Sequence, residues 1–323
     1  MTEIKNVELD RARFRGRLMV VGICIGLALL LLAGRAVVLQ VLRHDELAAR
    51  AEANRTAILP IVPNRGLIVD RNGVVLASNY SAYTLEITPS KVKNLEATLD
   101  ALSEVVDIQP QHRRRFKRLM EESKRFDSLP IRSRLTDEDV ARFSAQRFRF
   151  PGVELRARLF RHYPMGETGS HLVGYIGRIN AAEKAAMNDW EDEELANYRG
   201  TEYIGKLGVE QSLERQLHGI TGVEEVETSA GGRAVRKLAS RPATPGQTVT
   251  LSIDIKLQNL IEQMYGDRRG ALVAIDPKTG EVLAFVSKPT FDPNLFVDGI
   301  DQDNWQALNE SIEKPLLNRA LRG

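Results

Sequence analysis

One long apolar run near the start of the chain stands apart from the shorter runs that follow it. Residues 18–34 carry no charge, and residues 36–42 continue the run after Arg35. A helix needs about 20 apolar residues to cross a bilayer, so this run predicts a single transmembrane helix. Four arginines within residues 11–17 precede it, and this positive bias predicts a cytoplasmic N-terminus, with the rest of the chain outside.

Other features of the run affect how it is interpreted. A cleaved signal peptide is the alternative, but the nearest Ala-x-Ala pattern, at Ala49 and Ala51, lies well past its end. Arg35 either extends to the lipid headgroups or contacts a partner in the membrane. Cys24 is the only cysteine and lies inside the run, so the exported part needs no disulfide framework, as is typical of a bacterial periplasmic protein.

Short strand patterns follow the apolar run. Pro60 restricts the first of them to the edge of a sheet, and Asn72-Gly73 predicts a tight turn between the second and the third. A later alternating pattern predicts another, half-exposed strand. These strands are predicted at residues 58–62, 67–69, 74–76, 83–87 and 153–159.

Helix patterns lie between the strands. Leu95 begins a series of apolar residues at helical spacing, and Thr136 and Asn180 each precede an acidic residue at the capping-box position. Residues 208–218 predict a further helix that ends at Gly219. Together these patterns predict an α+β fold with a mixed helix and strand domain behind the transmembrane helix.

The final part of the chain predicts the opening of another domain. Residues 241–246 contain two prolines and are interpreted as a hinge, and Asp254 is predicted to cap the helix that follows. Residues 271–275 and 282–286 then predict a hairpin. Because both its faces are apolar, the hairpin needs further strands and covering helices, and few residues follow it. This domain is therefore expected to be incomplete.

Composition and charge limit the possible functions. With 323 residues, 43% of them hydrophobic, the exported part is large enough for about two domains. The net charge of +2 indicates no anionic partner, and nucleic acid is not expected outside the cell. A basic cluster at residues 112–118 is interpreted as a solvated helix face. A second cluster is either ordinary surface or a basic sheet face that meets lipid headgroups, glycan or a partner protein; it comprises Arg142, Arg147, Arg149, Arg156, Arg158 and Arg161.

Four segments of the exported chain carry a family resemblance. They are NRGLIVDRNGVVLA at residues 64–77; FPGV, RHYPMG and HLVGY within residues 150–175; GKLGVE, LHG, VE and GR within residues 205–233; and DPKTGEVLAFVS, PTFDPNLFVDGI and PLLNRALRG within residues 276–323. In this order, behind an N-terminal anchor, they resemble the class B penicillin-binding proteins, and most of all the elongation-specific members.

The resemblance implies a serine-type peptidoglycan D,D-transpeptidase without a cofactor, in which a serine attacks a D-Ala carbonyl of a stem peptide and a lysine acts as base. In that family the Ser-x-x-Lys motif follows the Asn318-Arg319-Ala320 stretch by a few residues. The nucleophile is therefore expected beyond Gly323, and this chain alone is expected to be inactive. The implied partners are a RodA-type SEDS glycosyltransferase, an MreC-type elongasome protein and peptidoglycan or its lipid-linked precursor, at the bacterial inner membrane.

The residues that carry the resemblance are expected to be structural. We predict a bidentate ion-pair network formed by Arg65, Asp70, Arg71 and Glu210. This network would fix the non-catalytic domain that precedes residue 241, called the pedestal, against the catalytic domain. The alternative is a set of surface ion pairs worth at most about 1 kcal/mol each. The full set of structural motif residues comprises Arg65, Gly66, Asp70, Arg71, Gly73, Arg161, Tyr163, Pro164, Gly166, Gly208, Glu210, Asp276 and Gly280.

Two short matches to the penicillin-binding signature are interpreted as coincidences. Ser311 and Lys314 form a Ser-x-x-Lys pattern, but Pro315 would break the helix that should carry both side chains. Lys278 begins a Lys-Thr-Gly that lies in the predicted hairpin turn and precedes the serine, the reverse of the family order. No Ser-x-Asn occurs, and the five histidines show no metal-ligand spacing, so no catalytic, cofactor or metal residue is predicted.

The predicted organisation has four parts: a cytoplasmic tail (residues 1–17), a transmembrane anchor (18–42), a non-catalytic pedestal domain (43–240) and the start of a transpeptidase domain (241–323). Two other functions remain open. One is a non-enzymatic periplasmic scaffold that ends naturally at Gly323, and the other is a division-specific transpeptidase of the same class.

Overall fold

A computed structural model describes residues 7–45, 47, 56–122, 128–228 and 234–322. The chain divides into two compact units. The N-terminal unit comprises residues 1–59 and 223–241, and the main unit comprises residues 60–222 and 242–323. These units are groups of residues in contact with one another and do not correspond to the predicted domains. The predicted domain boundary near residue 240 therefore stays a prediction. Most of the predicted linker at residues 50–56, with Ala49, Ala51, Gly232, Arg233 and Gly323, lies outside the described residues.

The N-terminal unit contains the long apolar helix. Helix α1 spans Val7–Val37 and continues as a π-helical segment, Val38–Leu42. Its stretch Gly16–Leu42 is long and apolar enough to cross a membrane, and its large apolar side chains are exposed in the protein. Apolar side chains that pack against no other element are what a lipid environment requires. The fold therefore includes the single N-terminal helix that the pattern predicts.

A three-stranded sheet begins after this helix. Strand β1 (Thr56–Ile61) lies at one edge, beside β8 (Gly222–Thr228), which pairs antiparallel with β9 (Ala234–Arg241). The edge position of β1 agrees with the restriction that Pro60 imposes. Proline has no backbone N–H to donate to a neighbouring strand, so it is tolerated mainly in edge strands.

The main unit is built around one long strand. Strand β3 (Val75–Ile87) pairs with β2 (Ile68–Val69) near its start and, over residues 78–87, with β5 (Val153–His162). The sequence pattern splits β3 into two strands, at residues 74–76 and 83–87, and this prediction is wrong. The polar residues 78–81 resemble a break in the pattern, but their backbone groups are paired with β5 without interruption.

Strand β4 (Leu129–Leu135) pairs with the second half of β3, and the sequence pattern does not predict it. Pro130 and two arginines interrupt its apolar alternation, which is tolerated because β4 lies at the end of the strand order. Three helices cover this part of the sheet: α2 (Leu95–Ser103), α3 (Pro110–Glu122) and α4 (Asp137–Gln146). The core between them contains buried residues that include Leu85, Ile87, Leu99, Leu102, Phe116, Ile131, Phe143 and Phe150.

A second hydrophobic core lies beside β2 and the start of β3. Five short elements follow β5 in this part of the main unit: α5 (Ser170–Val173), β6 (Ile176–Arg178), α6 (Ala181–Met187), α7 (Asp192–Asn197) and β7 (Tyr203–Gly205). Strands β6 and β7 pair antiparallel. The buried side chains of this core include Ile68, Leu76, Tyr163, Ile176, Leu217 and Ile255.

Capping predictions hold in detail. The Thr136 and Asn180 side chains accept from the backbone of Asp139 and Glu183, whose side chains accept in return, so both capping boxes are complete. By contrast, the single helix predicted over residues 208–218 is two short helices, α8 (Gly208–Ser212) and α9 (Glu214–His218). The backbone leaves the helical region at Leu213, where φ is −111° and ψ is 25°.

The last segment of the main unit contains the predicted helix and hairpin, preceded by a short strand that the sequence pattern does not predict. Strand β10 (Val249–Thr250) pairs parallel with β2, and Asp254 caps helix α10 (Ile255–Tyr265). Strands β11 (Gly270–Ile275) and β12 (Val282–Lys288) form the hairpin, followed by α11 (Gln302–Asn309) and α12 (Arg319–Arg322). Val286 of β12 is fully buried, whereas Ile275 of β11 is 56% exposed, so the hairpin keeps an apolar surface open to solvent.

Gly208 and Gly73 give a matched test of backbone constraint. Both have positive φ, 61° and 80°, but a Cβ at Gly208 would collide with the carbonyl oxygen of Leu172, whereas Gly73 has open space around it. We expect Gly73→Ala to cost about 1–2 kcal/mol, the usual penalty for this conformation. Gly208→Ala should cost clearly more, because the clash adds to that penalty. Thermal unfolding of both variants measures the difference, and equal melting temperatures would contradict the packing described for α8.

Candidate functional site

The main unit contains a buried network of arginine and glutamate side chains. Glu210, in the first turn of α8, is fully buried. Its Oε2 accepts from Nε of Arg65 at 2.7 Å, and its Oε1 accepts from Nε of Arg161 at 2.7 Å and from the Tyr163 hydroxyl at 3.2 Å. One carboxylate therefore joins the segment before β2, the end of β5 and the start of α8.

Glu214 supplies a second carboxylate, four residues further along at the start of α9. The two terminal nitrogens of Arg65 donate to it at 3.1 Å and 2.6 Å, so Arg65 bridges both glutamates. The Tyr198 hydroxyl and the Gly205 backbone N–H complete its partners at 3.2 Å and 2.8 Å. Because the break at Leu213 separates α8 from α9, each helix presents one carboxylate to the same guanidinium.

Arg161 ties the network to the backbone. Its side chain is fully buried, and Nη1 donates to the carbonyl of Gly66 at 2.6 Å and to Oδ1 of Asn79 at 3.2 Å. Asn79 Nδ2 in turn donates to the carbonyl of Arg65 at 2.5 Å. A Cβ at Gly66 would collide with the carbonyl oxygen of Gln247, so only glycine permits this close approach of the two backbones.

The electrostatics keep the network charged. Burial alone raises the pKa of Glu210, but the positive charges of Arg65 and Arg161 outweigh it and hold that pKa below its usual value. Burial, and then the negative charge of Glu210, raise the pKa of Tyr163 well above its usual range, so its hydroxyl stays a donor. Two arginines balance two glutamates. A saturated carboxylate that water cannot reach is a structural group and not a general base.

Asp70 and Arg71 lie outside this network, contrary to the prediction that joins them to Arg65 and Glu210. Asp70 Oδ1 accepts from the backbone N–H groups of Asn72 and Val74 at 2.8 Å and 2.7 Å, and Oδ2 accepts from that of Ile255 at 3.2 Å. Asp70 thereby closes the turn that contains Gly73 and also binds the first residue of α10. Burial disfavours its charge, but these backbone donors hold the pKa of Asp70 below its usual value.

Arg71 makes a weaker contact with the hairpin. Its guanidinium lies 3.5 Å from a carboxylate oxygen of Glu281, and both side chains are more than 40% exposed. An exposed pair of this length contributes little, at most about 1 kcal/mol. The structure therefore separates the four residues: Arg65 and Glu210 are buried together, whereas Asp70 and Arg71 lie at the junction with α10 and the hairpin.

The remaining motif residues shape turns. Pro164 and Gly166 lie in the turn after β5, where the Gly166 N–H donates to the carbonyl of Tyr163 at 3.1 Å. The backbone of Tyr163 exchanges two hydrogen bonds of 3.0 Å with the side chain of Asn294. In the hairpin turn, the Gly280 N–H donates to the carbonyl of Asp276 at 2.8 Å.

Glu214, Asn79 and Tyr198 belong to the network although the sequence pattern does not single them out. For Glu214 a signal exists, because Glu210 and Glu214 would lie on the same side of the single helix that the sequence pattern predicts over residues 208–218. Asn79 and Tyr198 carry no such signal, since both reach the network only through the folding of distant segments.

The short matches to the catalytic signature do not form a site. Ser311 and Lys314 lie in a turn, and the Ser311 hydroxyl accepts from the backbone of Glu313 at 3.2 Å. Lys314 is exposed with φ of 45°, outside any helix. Lys278 is exposed in the hairpin turn. A further Ser-x-x-Lys, which starts at Ser90, has both side chains exposed.

The second basic cluster is largely neutralised. Arg158 and Arg156 contact the fully buried carboxylate of Glu86 at 2.5 Å and 3.5 Å, Arg161 belongs to the network, and Arg142 pairs with Glu138. The arginines of β5 are therefore paired with glutamates and do not form a basic sheet face available to an anionic partner. Among the described residues, no group of His, Cys, Asp and Glu side chains is arranged to hold a metal ion.

Comparisons with known proteins agree with this architecture. Residues 60–251 match the family model of the penicillin-binding protein dimerisation domain, and residues 270–322 match that of the penicillin-binding protein transpeptidase domain. The chain belongs to the class B penicillin-binding proteins. The first matched region contains the buried network and the second contains the β11–β12 hairpin, whereas α10 lies between the two.

Individual relatives define the similarity more closely. The chain is 44% identical over 301 residues to the peptidoglycan D,D-transpeptidase MrdA of Escherichia coli K12, covering 92% of this chain and 47% of that protein. It is 39% identical over 321 residues to the MrdA of Acinetobacter baumannii, covering 99% and 47%. The chain thus spans about half the length of the curated relatives it matches.

A solved structure of a complex between penicillin-binding protein 2 and MreC from Helicobacter pylori matches with a TM-score of 0.66 at 26% identity. The match covers 82% of this chain and 49% of that one. Within the class B family, the chain is thus similar to proteins of the MrdA, or penicillin-binding protein 2, type.

The network predicts a specific loss of stability in acid. The depressed pKa of Glu210 means that its contribution is fully present above its unfolded value of 4.5 and is lost as the pH falls through its folded value. We expect the free energy of unfolding to fall steeply below pH 4.5. Glu210→Gln should be less stable at neutral pH and should lose less stability on acidification. Parallel pH profiles for the two proteins would contradict the pKa assignment.

Proposed function

We propose that this chain forms the anchor and pedestal of a serine-type peptidoglycan D,D-transpeptidase that cross-links stem peptides during cell-wall elongation and maintains rod shape. The similarity to proteins named peptidoglycan D,D-transpeptidase MrdA supports the reaction, and the resemblance of the sequence motifs to the elongation-specific members supports the elongation role. The apolar helix supports a single-pass anchor in the bacterial inner membrane, with a cytoplasmic N-terminus and a periplasmic bulk.

One observation carries the structural part of the proposal. Most of the region matched to the dimerisation domain, residues 60–222 and 242–251, lies in the same compact unit as the region matched to the transpeptidase domain. Asp70 binds the N-terminal backbone of α10, and Tyr163 is held by Asn294. The motif residues that surround the network therefore also seat the first elements of the transpeptidase domain.

The chemistry of this class assigns the pedestal a positioning role. In the proposed reaction a serine oxygen attacks the carbonyl of the penultimate D-Ala, a lysine accepts the serine proton, and the terminal D-Ala leaves as its amine gains a proton. An amine of a neighbouring stem peptide then attacks the acyl-enzyme and restores the serine. None of the described side chains of this chain forms such a nucleophile and base pair.

The partners follow from the same proposal. A RodA-type glycosyltransferase would supply glycan strands beside the membrane helix, and an MreC-type protein would bind the pedestal. A penicillin-binding protein 2 with the same fold has been solved in a complex with MreC, which supports the second partner. Peptidoglycan, or its lipid-linked precursor, is the proposed substrate.

The first test concerns covalent labelling. Because Ser311 lies in a turn with no lysine side chain bonded to it, we expect the polypeptide of residues 1–323 not to be labelled by a fluorescent penicillin. Ser311→Ala should leave the background unchanged. Stoichiometric labelling that Ser311→Ala abolishes would show that the Ser-x-x-Lys of this chain is a nucleophile after all.

The second test concerns the elongation role. A tagged chain purified from detergent-solubilised membranes of its own bacterium should retain a RodA-type glycosyltransferase. A variant whose transmembrane helix is replaced by an unrelated one serves as the control for nonspecific retention in detergent. Retention of the division-type glycosyltransferase instead would assign the chain to septal synthesis, and retention of neither would favour the scaffold.

A further inference from the structure

The basic cluster on α3 lines a groove that the proposed function does not use. The groove has a volume of about 680 Å³ and lies in the main unit. Its walls are α3 and the end of β4 on one side, and residues 294–302 on the other. It is separate from the buried network, since neither Arg65 nor Glu210 lines it.

The groove is strongly positive. Among its lining residues are five cations: Arg114, Arg115, Lys117, Arg118 and Arg134. Among the described residues, the acidic ones that line it are Asp298 and Asp301, so the described lining has an excess of three positive charges. At the same wall, burial first, and then the positive charges of Arg132 and Arg115, lower the pKa of His112.

The acidic residues of the groove are already used. Asp298 lies 3.0 Å from Nε of Arg134 and 4.0 Å from Nη2 of Arg115. Asp301 caps α11 by accepting from the backbone of Asn304 at 2.9 Å. Each of these carboxylates therefore already has partners within the protein. Neither of them forms an ion pair with Arg114, Lys117 or Arg118 of α3.

Two arginines of the groove are left uncompensated. Lys117 pairs with Glu96 at 3.1 Å, whereas Arg114 and Arg118 are exposed and form no ion pair or side-chain hydrogen bond with a described residue. They lie four residues apart on α3, which places them about 6 Å apart along the helix axis. Alternate residues of an extended peptide are about 6.6 Å apart, so two carboxylates on such a peptide match both guanidinium groups.

We propose that this groove docks an extended acidic peptide segment of a protein partner, with Arg114 and Arg118 as its main contacts. A narrow ligand fits because Arg114 and Arg118 line a groove whose opposite wall is formed by residues 294–302. A flat lipid surface meets the exposed arginines alone, whereas an extended peptide between the two walls also contacts the opposite wall. Charge complementarity of this kind sets specificity and association rate.

The test uses the whole chain in neutral detergent and a fluorescein-labelled peptide of alternating Glu and Ser, about eight residues long, with fluorescence anisotropy as the readout. Arg114→Glu with Arg118→Glu should weaken binding by about tenfold or more. The matched control is Arg147→Glu with Arg199→Glu, since both are exposed arginines outside the groove with no ion pair to a described residue. The control should remain within about twofold of the unaltered chain.

A charge swap keeps the proposal falsifiable even if the reversed variant is less stable. A peptide of alternating Lys and Ser should bind Arg114→Glu with Arg118→Glu and not the unaltered chain. Absence of binding to the unaltered chain, or equal weakening by the control pair, would overturn the proposal. Displacement of the peptide by inorganic pyrophosphate or by phosphatidylglycerol vesicles, at concentrations where neutral vesicles have no effect, would assign the groove to phosphate groups and overturn the peptide as ligand.

Discussion

The main unit depends on one constraint: the carboxylate of Glu210 is fully buried and must stay charged. An ion moved from water to the protein interior loses several kcal/mol of solvation, so it persists only with partners of good geometry. Arg65 and Arg161 provide them at 2.7 Å, and Tyr163 adds a neutral donor. Because these partners come from segments far apart in the sequence, satisfying one charge brings those segments to fixed positions.

This constraint explains why the network and the junction with the transpeptidase region are neighbours. Tyr163 contacts Glu210 through its hydroxyl and Asn294 through its backbone, so a single residue belongs to both. Asp70 acts similarly at the other side, where one carboxylate closes a turn and binds α10. The proposed function would give this arrangement a purpose, since a pedestal is useful to a transpeptidase only if it holds the catalytic domain in a defined position.

Local features were predictable from the sequence, and long-range ones were not. The length of the apolar run predicts α1, and pairs of side chains three residues apart predict the caps at Thr136 and Asn180. Both signals depend only on residues that are close together in the chain. Strand β4 is invisible in the pattern because it is an edge strand whose apolar alternation is interrupted. Within the network, the motif resemblance points to Arg65, Arg161, Tyr163 and Glu210, but no local rule shows that Asp70 bonds to α10 instead, 185 residues later.

The most direct test of this account is a double-mutant cycle between Arg65 and Glu210, measured by urea unfolding at neutral pH. Both tryptophans, Trp190 and Trp305, lie in the main unit and report its unfolding. Arg65→Gln, Glu210→Gln and the double variant should give a coupling energy of about 2 kcal/mol or more, because each single change removes one of the two opposite charges that compensate a buried partner. The exposed pair Arg142 and Glu138 is the control, with an expected coupling of at most about 1 kcal/mol. Equal couplings for the two pairs would contradict the claim that a buried charge organises the pedestal.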